Sequence, residues 1–130
     1  MEMQMAIMLV DDEERFLVTT RKLFARMGYQ VLTASGGAEA LEKLRTNEIH
    51  VVVLDVKMPG MDGIDTLKEI KCRFPTVEVI MLTGHATMES AIEGLKSGAC
   101  DYLMKPTDIP DLIQKAEAAF QRRRDLAGKP

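Results

Sequence analysis

The sequence has too few cysteines to build with. Cys72 and Cys100 stand far apart and neither belongs to a CxxC pair, so neither a disulfide framework nor a zinc site is indicated, and a reducing cytoplasm is the expected compartment. A surplus of cations is also lacking. The net charge of −3 and pI near 5.4 argue against a nucleic-acid-binding surface, because neutralising phosphates takes excess Lys and Arg. No apolar run approaches the roughly 20 residues that a membrane span needs, and Met1 to Met8 has neither the basic start nor the long apolar stretch of a signal peptide, so no membrane association is expected. Internal repeats and low-complexity tracts are missing, and the one linker-like stretch is Arg122 to Pro130.

What is present suffices for one domain: 130 residues, 46% of them apolar, can fill a full core. Ala6 to Val10, Val51 to Leu54 and Val77 to Leu82 are short unbroken apolar runs, as expected of strands buried on both faces of a parallel sheet. Gln30 to Ala34 and Asp101 to Met104 complete five strands. Apolar residues between them recur at helical spacing. The first helix carries Phe16, Leu17, Leu23, Phe24 and Met27 before Gly28, and the second carries Ala38, Leu41 and Leu44 after the Ser35-Gly36-Gly37 turn. Asp62, Thr87 and Asp108 can cap the remaining three, which carry Ile64, Leu67, Ile70 and Phe74, then Met88, Ala91, Ile92 and Leu95, then Ile109, Leu112, Ile113, Ala116 and Phe120. Met8, Met27, Met81 and Met104 fall inside apolar segments and are expected to fill core. Alternation of strand and helix predicts an α/β fold, a doubly wound five-stranded parallel sheet of order 2-1-3-4-5 covered by helices on both faces in a three-layer sandwich.

Ligands of such sheets bind beyond the carboxyl ends of the strands, and the polar residues are concentrated there. Strand one ends in Asp11-Asp12, strand three in Asp55, strand four in Thr83 and strand five in Lys105. Singly, each has an ordinary structural explanation: an aspartate capping the first helix, a turn lysine beside Pro106, a strand-end hydroxyl bonded to backbone. Jointly they point to chemistry. Neighbouring carboxylates repel one another and favour a hard divalent cation, for which Mg²⁺ is the natural choice because it takes carboxylate and phosphate oxygens and keeps several waters. A carboxylate can attack phosphorus if the incoming charge is neutralised, and Asp55 is best placed for that, with the metal, the Lys105 ammonium and the Thr83 hydroxyl each facing one phosphoryl oxygen.

These residues resemble the receiver domain of bacterial two-component response regulators, through Val10-Asp11-Asp12-Glu13, Leu54 to Gly63, Leu82-Thr83-Gly84-His85 and Lys105-Pro106, over about Ala6 to Phe120. The resemblance implies that Asp55 receives phosphate from a sensor histidine kinase or phosphotransfer protein. It implies that Asp11, Asp12, Asp55 and the Lys57 backbone carbonyl hold Mg²⁺, and that Lys105 contacts the phosphoryl group. Thr83 would swing toward the phosphate and Tyr102 turn inward, altering the face made by the fourth helix, fifth strand and fifth helix. The side chains of Lys57 and His85 would tune loss of the phosphate, and the Lys105-Pro106 bond would be cis. A covalently attached C-terminal effector domain and a homodimer formed on phosphorylation are further implied partners.

The main rival is a Mg²⁺-dependent phosphohydrolase with Asp55 as nucleophile. Such enzymes place a second acid two residues later, where Lys57 stands, so a persistent acyl phosphate and no multiple-turnover enzyme is expected. A flavin-binding protein of the same layout would need a phosphate-cradling loop where Asp11 to Glu14 repel phosphate. Residues 1–121 are expected to form the receiver domain, with 122–130 a helix end or the start of a linker in a longer regulator.

Overall fold

A computed structural model describes residues 4–56, 63–84, 88–105 and 107–127 of the chain. Five strands, β1 (Ala6–Val10), β2 (Gln30–Ala34), β3 (Val51–Asp55), β4 (Glu78–Thr83) and β5 (Asp101–Met104), alternate with helices α1 (Glu14–Arg26), α2 (Gly37–Thr46), α3 (Gly63–Arg73), α4 (Met88–Lys96) and α5 (Ile109–Ala127). All four strand pairings are parallel and the order is β2-β1-β3-β4-β5, as expected from the alternation.

Because successive strand residues face opposite ways, each aliphatic run supplies two cores. Ile7, Leu9, Val51, Val53, Ile80 and Leu82 pack with Leu17 and Phe24 of α1 and Leu112, Ala116 and Phe120 of α5. Met8, Val10, Val52, Leu54, Val79 and Met81 pack on the other face with Leu41 and Leu44 of α2 and Ile64, Leu67 and Ile70 of α3. Each large aliphatic so buried contributes roughly 1.5–3 kcal/mol. The central strands β1 and β3 are wholly buried, and their unbroken apolar sequences have this cause.

Several expectations need correction. Met8 and Met81 are core, but Met27 and Met104 are 50% and 56% exposed. Met27 follows the last turn of α1, where the buried stripe has ended, and Met104 ends an edge strand. In α2 the buried alanine is Ala40, while Ala38 is exposed. Ile92 and Leu95 of α4 are exposed; the helix meets the sheet through Gly94, where a Cβ would collide with the Met81 sulfur. Asp108 stands at the start of α5, its carbonyl accepting the Leu112 N–H at 3.1 Å, whereas the capping residues Asp62 and Thr87 lie outside the described residues.

At the amino ends of the strands, away from Asp55, a polar cluster holds the far end of α5. His50 is buried, its Nδ1 accepting the Ala6 N–H at 2.9 Å and its ring 5.0 Å from that of Phe120. Arg123 donates to the Thr76 carbonyl at 2.9 Å, and Arg122 stands 4.0 Å from the buried Glu78. The stretch from Arg122 to Ala127 is thus helix; Gly128 to Pro130 lie outside the described residues.

Candidate functional site

The carboxyl ends of β1, β3, β4 and β5 converge as their order demands. Asp11 follows β1, is 1% exposed, and is fixed by its own N–H, which donates to the Ala34 carbonyl at 3.1 Å. Its carboxylate does two things: Oδ1 accepts the Glu13 N–H at 2.8 Å and Oδ2 accepts from Lys105 Nζ at 2.5 Å. The first bond braces the turn into α1, whose N-cap residue Glu13 supplies no side-chain cap. Asp12 beside it is exposed.

Asp55 ends β3 with 7% of its surface exposed. The backbone there is seated against the start of α3: Gly63 N–H donates to the Val56 carbonyl at 2.9 Å, and a Cβ on Gly63 would lie 2.5 Å from the Asp55 carbonyl oxygen and from Val56 Cα. Only glycine fits that approach. One oxygen from each of Asp11, Asp12 and Asp55 can be chosen such that all lie within 4.8 Å of one another. An all-oxygen set with two buried members suits a hard divalent cation, since closely spaced, buried carboxylates favour a counter-charge. The acidic cluster can therefore hold a metal.

Lys105 follows β5 and supplies positive charge at the same spot. Its Nζ lies 3.5 Å from Glu13 Oε1, 4.0 Å from Asp55 Oδ2 and 4.7 Å from the Phe16 ring centroid. Burial by itself lowers the pKa of this ammonium, but the hydrogen bond and charge of Asp11, with Asp55 and Glu13 behind, more than offset that and hold it above the ordinary lysine value. Thr83 ends β4 opposite Met104 in the register, one position before Lys105. Tyr102 packs partly buried on the α2–α3 core, its hydroxyl out of water and without a partner among the described residues. Lys57, His85 and Pro106 lie outside the described residues.

The strand-end pattern thus locates Asp11, Asp12, Asp55, Thr83 and Lys105 at one end of the sheet. It misses Glu13 and Phe16 as neighbours of Lys105. The acid was visible two residues after Asp11, but nothing marked which cation it faces, and Phe16 reads as part of the helix stripe.

The sequence matches the response regulator receiver domain family over residues 7–117. The chain belongs to that family. Among curated receiver-containing relatives, it is 42% identical to the transcriptional regulatory protein ZraR of Klebsiella oxytoca across 93% of this chain and 27% of that protein. It is 36% identical to the DNA-binding transcriptional regulator NtrC of Escherichia coli (strain K12) across 92% and 25% respectively. The chain therefore spans about a quarter of the length of these relatives. A CheY-like response regulator receiver domain protein from Methanospirillum hungatei JF-1 has the same fold, with a TM-score of 0.91 at 29% identity over 95% of this chain and 98% of that one. The chain is therefore a receiver domain of two-component response regulators, and the phosphohydrolase alternative is not favoured. Among the described residues no helix is long and apolar enough to cross a membrane.

Proposed function

We propose that Asp55 is the phosphoacceptor. One observation carries this: Asp55 is the buried carboxylate ending β3, with an oxygen within 4.8 Å of oxygens of Asp11 and Asp12 and a group of opposite charge, the Lys105 ammonium, 4.0 Å away. In the reaction, an Asp55 oxygen bonds to phosphorus as the donor's P–N bond breaks, and the released imidazole keeps the electron pair. The donor is a sensor histidine kinase or phosphotransfer protein. Asp11, Asp12, Asp55 and the Lys57 carbonyl would hold Mg²⁺, which would supply charge neutralisation for the phosphoryl oxygens. Lys105 contributes an ammonium on the opposite side and Thr83 a hydroxyl hydrogen bond. Lys57 and His85 tune the lifetime of the acyl phosphate.

Thr83 and Tyr102 then pass the change to the face formed by α4, β5 and α5. The exposure of Ile92, Leu95 and Met104 there supports a role in docking a partner, whether an effector domain or a second phosphorylated copy. Residues 1–121 are the receiver unit, working in the cytoplasm.

Acetyl phosphate with Mg²⁺ is expected to place one phosphate on the wild-type chain and none on Asp55→Asn, read by intact-protein mass spectrometry. Full labelling of the Asn variant would remove Asp55 from the role. With excess small phosphomonoester, released phosphate should not exceed slow decay of one bound equivalent; sustained turnover would make the chain a hydrolase.

A further inference from the structure

Lys105 is not aimed at the phosphoacceptor. Its Nζ is 2.5 Å from Asp11 Oδ2 and 3.5 Å from Glu13 Oε1, with the Phe16 ring 4.7 Å away, while Asp55 is the most distant of its three carboxylate neighbours at 4.0 Å. Three of the four groups around the ammonium come from the end of β1 and the start of α1. Two of these, Glu13 and Phe16, have no other part in the proposed chemistry. An aromatic face and a carboxylate are each favourable partners for an ammonium, and the ring holds it without competing for it through a hydrogen bond.

We propose that Glu13 and Phe16 are positioning residues that park the Lys105 ammonium on Asp11, keeping it nearer Asp11 than Asp55 until a divalent cation claims the Asp11 carboxylate. The inference rests on the receiver reading and concerns the step before phosphate arrives. Two cations cannot both neutralise one carboxylate at full strength, so metal and Lys105 compete for Asp11. When the metal takes Asp11, the ammonium leaves the ring and moves to Asp55, where the phosphoryl group is received. Charge-neutral removal of the ring weakens the parked state alone, and the metal should bind more tightly; truncating Glu13 also subtracts negative potential and is better read on the lysine itself.

The parked position has a direct signature, because protons beside the Phe16 ring experience its ring current. In wild-type chain free of metal, the Lys105 side-chain CH₂ protons next to Nζ should resonate upfield of ordinary lysines, and titration with MgCl₂ alone should return them downfield. Glu13→Gln should reduce the upfield shift before metal is added. Phe16→Leu should raise Mg²⁺ affinity roughly two- to fivefold, the ratio corresponding to an exposed cation–π contact. Ordinary shifts without metal, shifts that ignore saturating Mg²⁺, or equal or weaker Mg²⁺ binding by Phe16→Leu would overturn parking. An unchanged shift in Glu13→Gln would remove Glu13 from it. All these readings use unphosphorylated protein, so failure of Asp55 to label would count against the phosphoacceptor reading separately.

Discussion

At the scale of single residues, the buried imidazole of His50 is as constrained as any group at the site. The Ala6 N–H donates into Nδ1, so that nitrogen must be unprotonated in the folded chain. Burial first, and the positive charge of Arg123 second, hold its pKa below the ordinary 6.5, with Glu48 opposing them. The unfolded chain regains an ordinary histidine and takes up a proton first as pH falls. Stability from the neutral ring is therefore complete above about pH 6.5 and declines below it, until the lower folded pKa is passed. The unfolding free energy obtained from urea titrations should fall between pH 7.5 and 5.5, by at most about 1.4 kcal/mol per pH unit. His50→Gln, which offers an acceptor that does not titrate, should flatten the slope. An equally steep slope in that variant would assign the effect to other groups. No sequence signal marked His50, since a polar residue before an apolar run reads as loop.

At the scale of elements, α3 is held to β3 by an absence. The contact of Gly63 with the Asp55–Val56 backbone leaves no space for a methyl group, and backbone cannot rotate aside as a side chain can. Gly63→Ala should destabilise the chain by about 1–3 kcal/mol, the usual range for overpacking, and slow acetyl phosphate labelling by displacing Asp55. Unchanged stability and labelling would mean that the junction yields freely. The same comparison shows what the sequence could disclose about elements. Strand runs such as Val51 to Leu54 and the stripes of α1, α3 and α5 were legible because burial on one or two faces imposes a residue pattern. The outward face of α4 was not, because periodicity treats Gly94 as a gap, whereas the packing makes it the contact and turns Ile92 and Leu95 to solvent. Met104 misleads similarly: it reads as core, but it is the last residue of the edge strand β5 and is 56% exposed.

At the scale of the whole molecule, the proposed switch must move a population. Driving a state from 1% to 99% takes roughly 5.5 kcal/mol of preference, so a smaller coupling leaves a mixture. Tyr102 starts with its hydroxyl already buried and unpaired among the described residues, a condition that costs about 1–3 kcal/mol and favours any rearrangement that gives the hydroxyl a partner. Thr83→Ala should still accept phosphate, but amide shifts around Tyr102 should respond much less to phosphorylation than in wild type. A full wild-type response would exclude Thr83 as the link. The site end of the molecule was legible in the sequence because chemistry demands acids, a hydroxyl and an ammonium at strand ends. The pairing of Lys105 with Asp11 before Asp55 was not, since it depends on distances between four elements.

The clamp on α5 bears on how such a switch travels. A 19-residue helix is about 28 Å long, and this one begins four residues after Lys105 and near its far end contacts Thr76, before β4, and Glu78, the first residue of β4. Between its ends, Leu112, Ala116 and Phe120 seat it in the core, and the polar contacts of Arg122 and Arg123 add to this at the end remote from Asp55. On the proposed switch, a change near Ile109 therefore reaches a helix that is gripped along its buried stripe and at its far end, so it is expected to travel as a roll of the whole element rather than as fraying of its first turn.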